Sequence, residues 1–193
     1  MKRVFVVHMW SGNPEGNWYP WLKKELEAKG FEVNVPEMPD TDEPKIGAWV
    51  SYLKKIVGTV NEDTYFVGHS VGCQTILRYL EQCSSKEKIG GAVFVAGWFK
   101  LENLESEEEW KIMKPWLETS IEYQKIRILG GSNKFTAILS DNDPFVSVKE
   151  NEDMFKNQLG AKVIIKNNLG HFTKDDGVAK LPVALEELLK MMA

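Results

Sequence analysis

The sequence predicts an α/β fold: a three-layer sandwich with a mostly parallel six-stranded sheet and helices on both faces. Three observations carry this. Short continuous apolar runs rich in β-branched and aromatic residues recur along the chain, segments with helical periodicity lie between them, and no solenoid-type repeat or low-complexity tract interrupts the alternation.

The elements follow in order. A first strand is expected at Val4–Val7. Trp18, Trp21, Leu22 and Leu26 then share one helical face, and Gly30 stops that helix because glycine tolerates the left-handed conformation favoured at helix ends. A second strand is expected at Phe31–Val35. Ile46, Trp49, Val50, Leu53 and Val57 repeat the helical spacing before a third strand at Tyr65–Val67. Cys73, Ile76, Leu77 and Leu80 mark the next helix, and a fourth strand follows at Ala92–Ala96. The last two strands are expected at Phe135–Leu139 and Val163–Ile165. A final helix opens at Pro182, a favourable first-turn residue, with Leu185, Leu188, Leu189 and Met192 as its apolar face. The long stretch from Trp98 to about Asn133 is broken by the acidic run Glu102 to Glu109 and carries Trp98, Phe99, Trp110, Trp116 and Tyr123. It reads either as a packed helical hairpin or as a small cap-like insertion, residues 98–133, over a site at the carboxyl ends of the strands.

With 193 residues the chain is long enough for one domain, 1–193, of radius of gyration roughly 16 Å. A hydrophobic content of 43% with 27% charged residues is globular rather than disordered. The net charge of −4 argues against nucleic acid or an anionic membrane as partner and favours a small-molecule substrate. The only cysteines, Cys73 and Cys83, form no C-x-x-C pair, so a reducing cytoplasm is expected. The run Val4 to Val7 is short for a secretory signal, and no apolar stretch approaches the ~18 residues of a membrane span. Membrane, collagen-like, disulfide-scaffold and histone-like classes are thereby excluded.

Directly after the third strand stands Gly68-His69-Ser70-Val71-Gly72, followed at once by a helix. This is G-x-S-x-G in its strand–turn–helix context. Glycines permit a turn tight enough to bring helix and strand backbones together, and the serine between them is held strained with its hydroxyl exposed. The helix amino terminus adds partial positive charge where an oxyanion would develop. Ser70 is therefore the candidate nucleophile. It needs a base, and the chain has three histidines, His8, His69 and His171. His69 lies inside the turn, pointing away from the hydroxyl, and His8 ends the first strand. His171, in the loop between the last strand and the last helix, stands where the base falls when the order is Ser, acid, His. The fifth strand opens into Asp141-Asn142-Asp143-Pro144-Phe145-Val146. Asp143, just before Pro144, is the better candidate for the acid that holds the histidine tautomer, while Asp141 also reads as a turn-capping residue.

These segments resemble a known family. His8 after the first strand, Trp18 to Leu26, Gly68 to Cys73 continuing through Ile76-Leu77-Arg78, Asp143 to Val146, and Gly170-His171-Phe172 with Asp175-Asp176-Gly177 and Leu181-Pro182 are together similar to the small, capless α/β-hydrolases of the YdeN type, relatives of the retinoblastoma-binding-protein-like serine hydrolases. The resemblance spans nearly the whole chain. It implies Ser70 as nucleophile, Asp143 as acid, His171 as base, and an oxyanion hole made by the backbone N–H groups of Val71 and Trp10. Met9 departs from the family's usual glycine after the strand-end histidine, Ser140 from a glycine-like position, and Ser147 from a frequent proline. Trp10, Trp18 and Trp98 are candidates to line an acyl or alcohol pocket, although Trp18 also fits the apolar face of its helix.

The expected function is that of a carboxylesterase-like serine hydrolase, with amides and thioesters as alternative substrates. The chemistry calls for no metal or organic cofactor. One rival is a hydrolase-fold module that binds a protein partner, with catalysis weak or secondary. Another is a nucleotide-binding doubly wound protein, which is weakened because neither a G-x-G-x-x-G nor a G-x-x-x-x-G-K-[ST] motif follows the first strand.

Overall fold

Side chains on a strand alternate between the two faces of a sheet, so a strand buried on both sides reads as continuously apolar. In β1 (Arg3–Val7), Phe5 and Val7 enter one core while Val4 and Val6 enter another. A computed structural model describes residues 1–131 and 133–193 of the chain. Six strands form one sheet in the order β2-β1-β3-β4-β5-β6, all in parallel register. The others are β2 (Glu32–Asn34), β3 (Thr64–His69), β4 (Gly91–Val95), β5 (Phe135–Ser140) and β6 (Lys162–Lys166).

Helices α1 (Tyr19–Glu27) and α7 (Pro182–Met192) cover one face. The other carries α2 (Ile46–Val57), α3 (Val71–Leu80), α4 (Glu107–Glu118), α5 (Tyr123–Gly130) and α6 (Val148–Leu159). The chain leaves β1 toward β2 and returns past it to β3, so a topological switch point lies between β1 and β3, where Val7 pairs with Gly68. Ligands of open α/β sheets bind outside the carboxyl ends of the strands at such a point.

Several elements differ from the sequence expectation. The second strand shrinks to Glu32–Asn34 because it is a sheet edge with only Val33 buried. Ala96 lies beyond β4 with φ +45°. The buried side of α7 is Ala184, Leu188 and Met191, while Leu185, Leu189 and Met192 lie at its half-buried margin. That side also contains Glu187, whose carboxylate is held by Lys162 at 2.8 Å and Lys190 at 2.6 Å. A charged residue on the inner face hides the stripe from a hydrophobicity count.

The described part of the segment expected at 98–133 supplies α4 and α5, residue 132 lying outside the described residues. The acidic run does not break a helix but starts one. Ser106 and Glu109 form a reciprocal capping box, and Glu107, Glu108 and Glu109 stand in the first turn, where the helix dipole favours negative charge. This segment is tied to the body of the fold. Arg78 of α3 donates to the carbonyls of Trp116 and Thr119, both at 2.8 Å, and the Trp116 indole donates to Pro44 at 2.8 Å. Asn151 of α6 accepts from the backbone of Phe99 at 2.7 Å and Lys100 at 3.1 Å.

Candidate active site

Ser70 joins β3 to α3 with φ +53° and ψ −118°, a conformation costly for any residue with a Cβ. The flanking glycines make it attainable. A Cβ on Gly72 would lie 2.2 Å from the Val7 carbonyl oxygen, and one on Gly68 would lie 2.7 Å from the Cys73 nitrogen. Both contacts are with backbone, so no side-chain rotation relieves them. The turn is pinned from the neighbouring strand by the Ser70 N–H, which donates to Val95 at 2.9 Å. Close approach of α3 to the end of β1 also brings the loop Met9–Trp10 beside the serine.

Ser70 and His171 line the same cavity, about 300 Å³ in volume, at the lower end of the range for small-molecule sites. Its walls are mainly apolar: Trp10, Trp98, Leu101, Leu104, Met113 and Phe145. Glu105 and Glu109 make one side acidic. The Trp98 indole N–H donates to Ser70 Oγ at 3.3 Å, which leaves the hydroxyl proton free. Trp18, by contrast, is fully buried in the core between the sheet and α1.

The imidazole of His171 meets Asp143 through Nδ1 and Oδ2 at 2.8 Å, and the Asp143 side chain is almost wholly buried. The other oxygen, Oδ1, accepts from the N–H groups of Phe145 at 2.9 Å and Val146 at 3.0 Å. A carboxylate with both oxygens so occupied accepts from Nδ1–H, leaving Nε2 of a neutral ring as the basic nitrogen. The Phe145 ring stands edge-on to the imidazole at 5.4 Å. Asp141 is engaged elsewhere: its Oδ1 accepts from the Asn168 N–H at 2.9 Å. The loop that carries His171 is braced by Asp176, whose Oδ2 accepts from the N–H of His171 and of Thr173, both at 3.0 Å. Gly170, with φ +50°, is the residue that admits Asp176, since a Cβ there would lie 2.2 Å from the carboxylate.

The other two histidines have committed ring nitrogens. His69 bonds Tyr19 Oη at 2.7 Å and the His171 carbonyl at 2.8 Å. Burial, reinforced by the nearby His171, pushes its pKa down to about 3. His8 Nε2 accepts from the Met38 N–H at 3.1 Å, and its Nδ1 lies 2.8 Å from the Met9 carbonyl oxygen. Burial also holds its pKa below the ordinary histidine value. Cys73, directly behind the elbow, is fully buried and its thiol is raised well above the usual range by that burial, so it is no competing thiolate.

Among the described residues, the N–H groups of Val71 and Trp10 are given to no other protein group. The Met9 N–H is spent on Tyr19 Oη at 3.3 Å. Two unspent donors beside the elbow, one of them at a helix amino terminus, suit a developing oxyanion.

Sequence reasoning did not single out Asp176, Phe145, Leu101, Leu104 or Met113 as site residues. Asp176 carried a usable signal in its position five residues after His171. The three wall residues carried none, since Leu101, Leu104 and Met113 share no periodic spacing.

Comparisons with known proteins agree on the scaffold. The chain is 31% identical over 187 residues to YdeN of Bacillus subtilis (strain 168), covering 97% of this chain and 94% of that protein. The crystal structure of the B. subtilis ydeN gene product superposes with a TM-score of 0.89 at 29% identity, over 100% of this chain and 99% of that one. Serine hydrolase RBBP9 of Rattus norvegicus is 26% identical over 157 residues, 80% of this chain and 77% of its own length. At the level of fold alone, Est1E from Butyrivibrio proteoclasticus, solved with ferulic acid, matches with a TM-score of 0.71 at 10% identity, over 100% of this chain and 88% of that one. The six-stranded parallel sheet with its covering helices is an α/β-hydrolase fold. The family model described as serine hydrolase matches residues 4–190, so this chain belongs to the serine hydrolase family.

Proposed function

We propose that the protein hydrolyses an ester, thioester or amide of a small substrate through Ser70, His171 and Asp143. In this reading the Ser70 oxygen attacks the carbonyl carbon while its proton passes to His171 Nε2. The oxyanion is met by the N–H groups of Val71 and Trp10. Collapse of the tetrahedral intermediate breaks the bond to the leaving group, which departs with the proton from His171. Water then repeats the sequence on the acyl-enzyme and releases the acid. Asp143 keeps the proton on Nδ1 and stabilises the imidazolium.

The observation that carries the proposal is that a strained Ser70 and a histidine anchored by a buried carboxylate line one cavity. Its volume of about 300 Å³ suits a small substrate. The apolar walls favour a short hydrocarbon acyl or alcohol portion, and Glu105 and Glu109 disfavour a substrate carrying its own carboxylate. We read the chain as a single domain in which Trp98 to Met113 supply one wall of the pocket, and we place it in a reducing compartment, where Cys73 and Cys83 remain free thiols.

The test is hydrolysis of short p-nitrophenyl esters by the wild type and by Ser70→Ala. Turnover by the wild type, lost in the variant, is expected. Undiminished turnover in Ser70→Ala, or a wild type inert to esters, thioesters and amides alike, would overturn the proposal.

A further inference from the structure

A buried chain of hydrogen bonds links three loops that come from distant parts of the sequence. Tyr19, the first residue of α1, is fully buried, and its hydroxyl lies 2.7 Å from His69 Nδ1. The opposite ring nitrogen, Nε2, lies 2.8 Å from the carbonyl oxygen of His171. A carbonyl only accepts, so Nε2 carries the proton. In a neutral ring Nδ1 is then the acceptor, and the Tyr19 O–H must donate to it. The tyrosine oxygen in turn accepts from the Met9 N–H and from Asn17 Nδ2, each at 3.3 Å. Asn17 reaches the base-bearing loop a second time by accepting from the Lys174 N–H at 2.9 Å. Every donor and acceptor has one orientation consistent with the rest. Burial holds His69 neutral and the Tyr19 phenol well above its usual range, so the chain does not change charge at ordinary pH.

We infer that Tyr19 is a positioning residue, acting through His69 to hold the His171 backbone and through Met9 to hold the loop that carries Trp10. The inference rests on the catalytic reading of Ser70 and His171. One hydroxyl then sets both the base and the second oxyanion donor against the elbow between them. His69 occupies the variable position of G-x-S-x-G, and in this chain it is the central link rather than a bystander.

Tyr19→Phe keeps the ring and its packing against Trp18 and His69, which lie 4.8 Å and 5.8 Å away between centroids, and removes only the hydroxyl. Displacement of the two loops by a fraction of an ångström is expected to lower kcat on a p-nitrophenyl ester roughly 10- to 100-fold, with KM within about twofold. The measurement is made well below the unfolding midpoint of the variant, so that a loss of folded protein does not imitate a loss of kcat. The His171 backbone amide resonance should shift in the same variant. A normal kcat in Tyr19→Phe, with Ser70→Ala inactive, overturns the inference and leaves the hydrolase reading standing. Full activity in Ser70→Ala sinks the hydrolase reading itself, and the inference with it. If Tyr19→Phe does not fold, the imidazole nitrogen spectrum of the wild type decides. A His69 proton on Nε2 with Nδ1 accepting supports the chain, and a proton on Nδ1 overturns it.

Discussion

Gly72 and Val7 approach so closely that a Cβ on the glycine would sit 2.2 Å from the Val7 carbonyl oxygen. That approach holds the amino terminus of α3 against the end of β1 and so brings Val71 and the Met9–Trp10 loop to the same cavity as Ser70. Gly72→Ala must push two backbones apart. It is expected to destabilise the protein by about 1–3 kcal/mol. Ester hydrolysis should fall by more than the folded fraction falls. Urea unfolding and initial rates on the same sample separate the two effects, and an alanine variant with wild-type kcat would show that the approach is dispensable for chemistry.

Asp143 and Asp141 stand two residues apart and do different things. Asp143→Asn replaces the acceptor for His171 Nδ1 with a group able to favour the wrong tautomer, and in a comparable triad such a change costs about 10⁴-fold in turnover. Asp141 accepts only a loop N–H from Asn168, so Asp141→Asn should stay within roughly ±0.5 kcal/mol in stability and change turnover little. Circular dichroism followed by rates on one activated ester checks both. The reverse ranking would move the acid to Asp141.

Histidine burial sets an acid limit on stability. The folded pKa of His69 lies near 3 and its unfolded value near the ordinary ~6.5, so the unfolded chain binds the extra proton first. Stability is therefore undiminished above about pH 6.5 and falls as pH drops toward about 3. His8, also depressed by burial, adds in the same direction. Urea midpoints measured from pH 7.5 down to pH 4.5 should slope accordingly, and the slope should flatten in His69→Gln. An unchanged slope in the variant would remove His69 as its source.

Arg78 reaches from α3 to the carbonyls of Trp116 and Thr119 and lies against the Trp116 ring at 5.9 Å. Arg78→Met keeps the stem and deletes the donors. The buried Trp116 carbonyl and the partly buried Thr119 carbonyl, left short of a charged donor, should together cost about 1–3 kcal/mol. Because α4 contributes Glu109 and Met113 to the cavity, KM should rise more than kcat falls. Proportional loss of both would indicate that α4 does not shape binding.

Much of this architecture was legible in the sequence because a parallel sheet covered on both faces writes its strands as unbroken apolar runs, as in Tyr65–Val67 and Ala92–Val95. The elbow was legible because strand, two glycines and helix occur in one short segment. The inner face of α7 was misjudged by one position because Glu187 is buried there with two lysines. Helix α6 gave little signal, since only Asn151, Phe155 and Leu159 are buried along it. The pocket wall was illegible because Leu101, Leu104 and Met113 become neighbours only once Ser106 caps α4 and Arg78 and Asn151 anchor the segment. The role of Tyr19 was hidden for a related reason. Its partner His69 is 50 residues away, and nothing local in either neighbourhood records the bond.

The central claim is that Ser70 is the nucleophile, and a fluorophosphonate reaction read by mass spectrometry tests it most directly. One phosphonyl group per chain is expected, mapped by peptide fragmentation to Ser70, with no adduct on Ser70→Ala and markedly slower labelling in Asp143→Asn. Labelling of Ser70→Ala at the wild-type rate, or an adduct mapped to another residue in the wild type, would contradict the account.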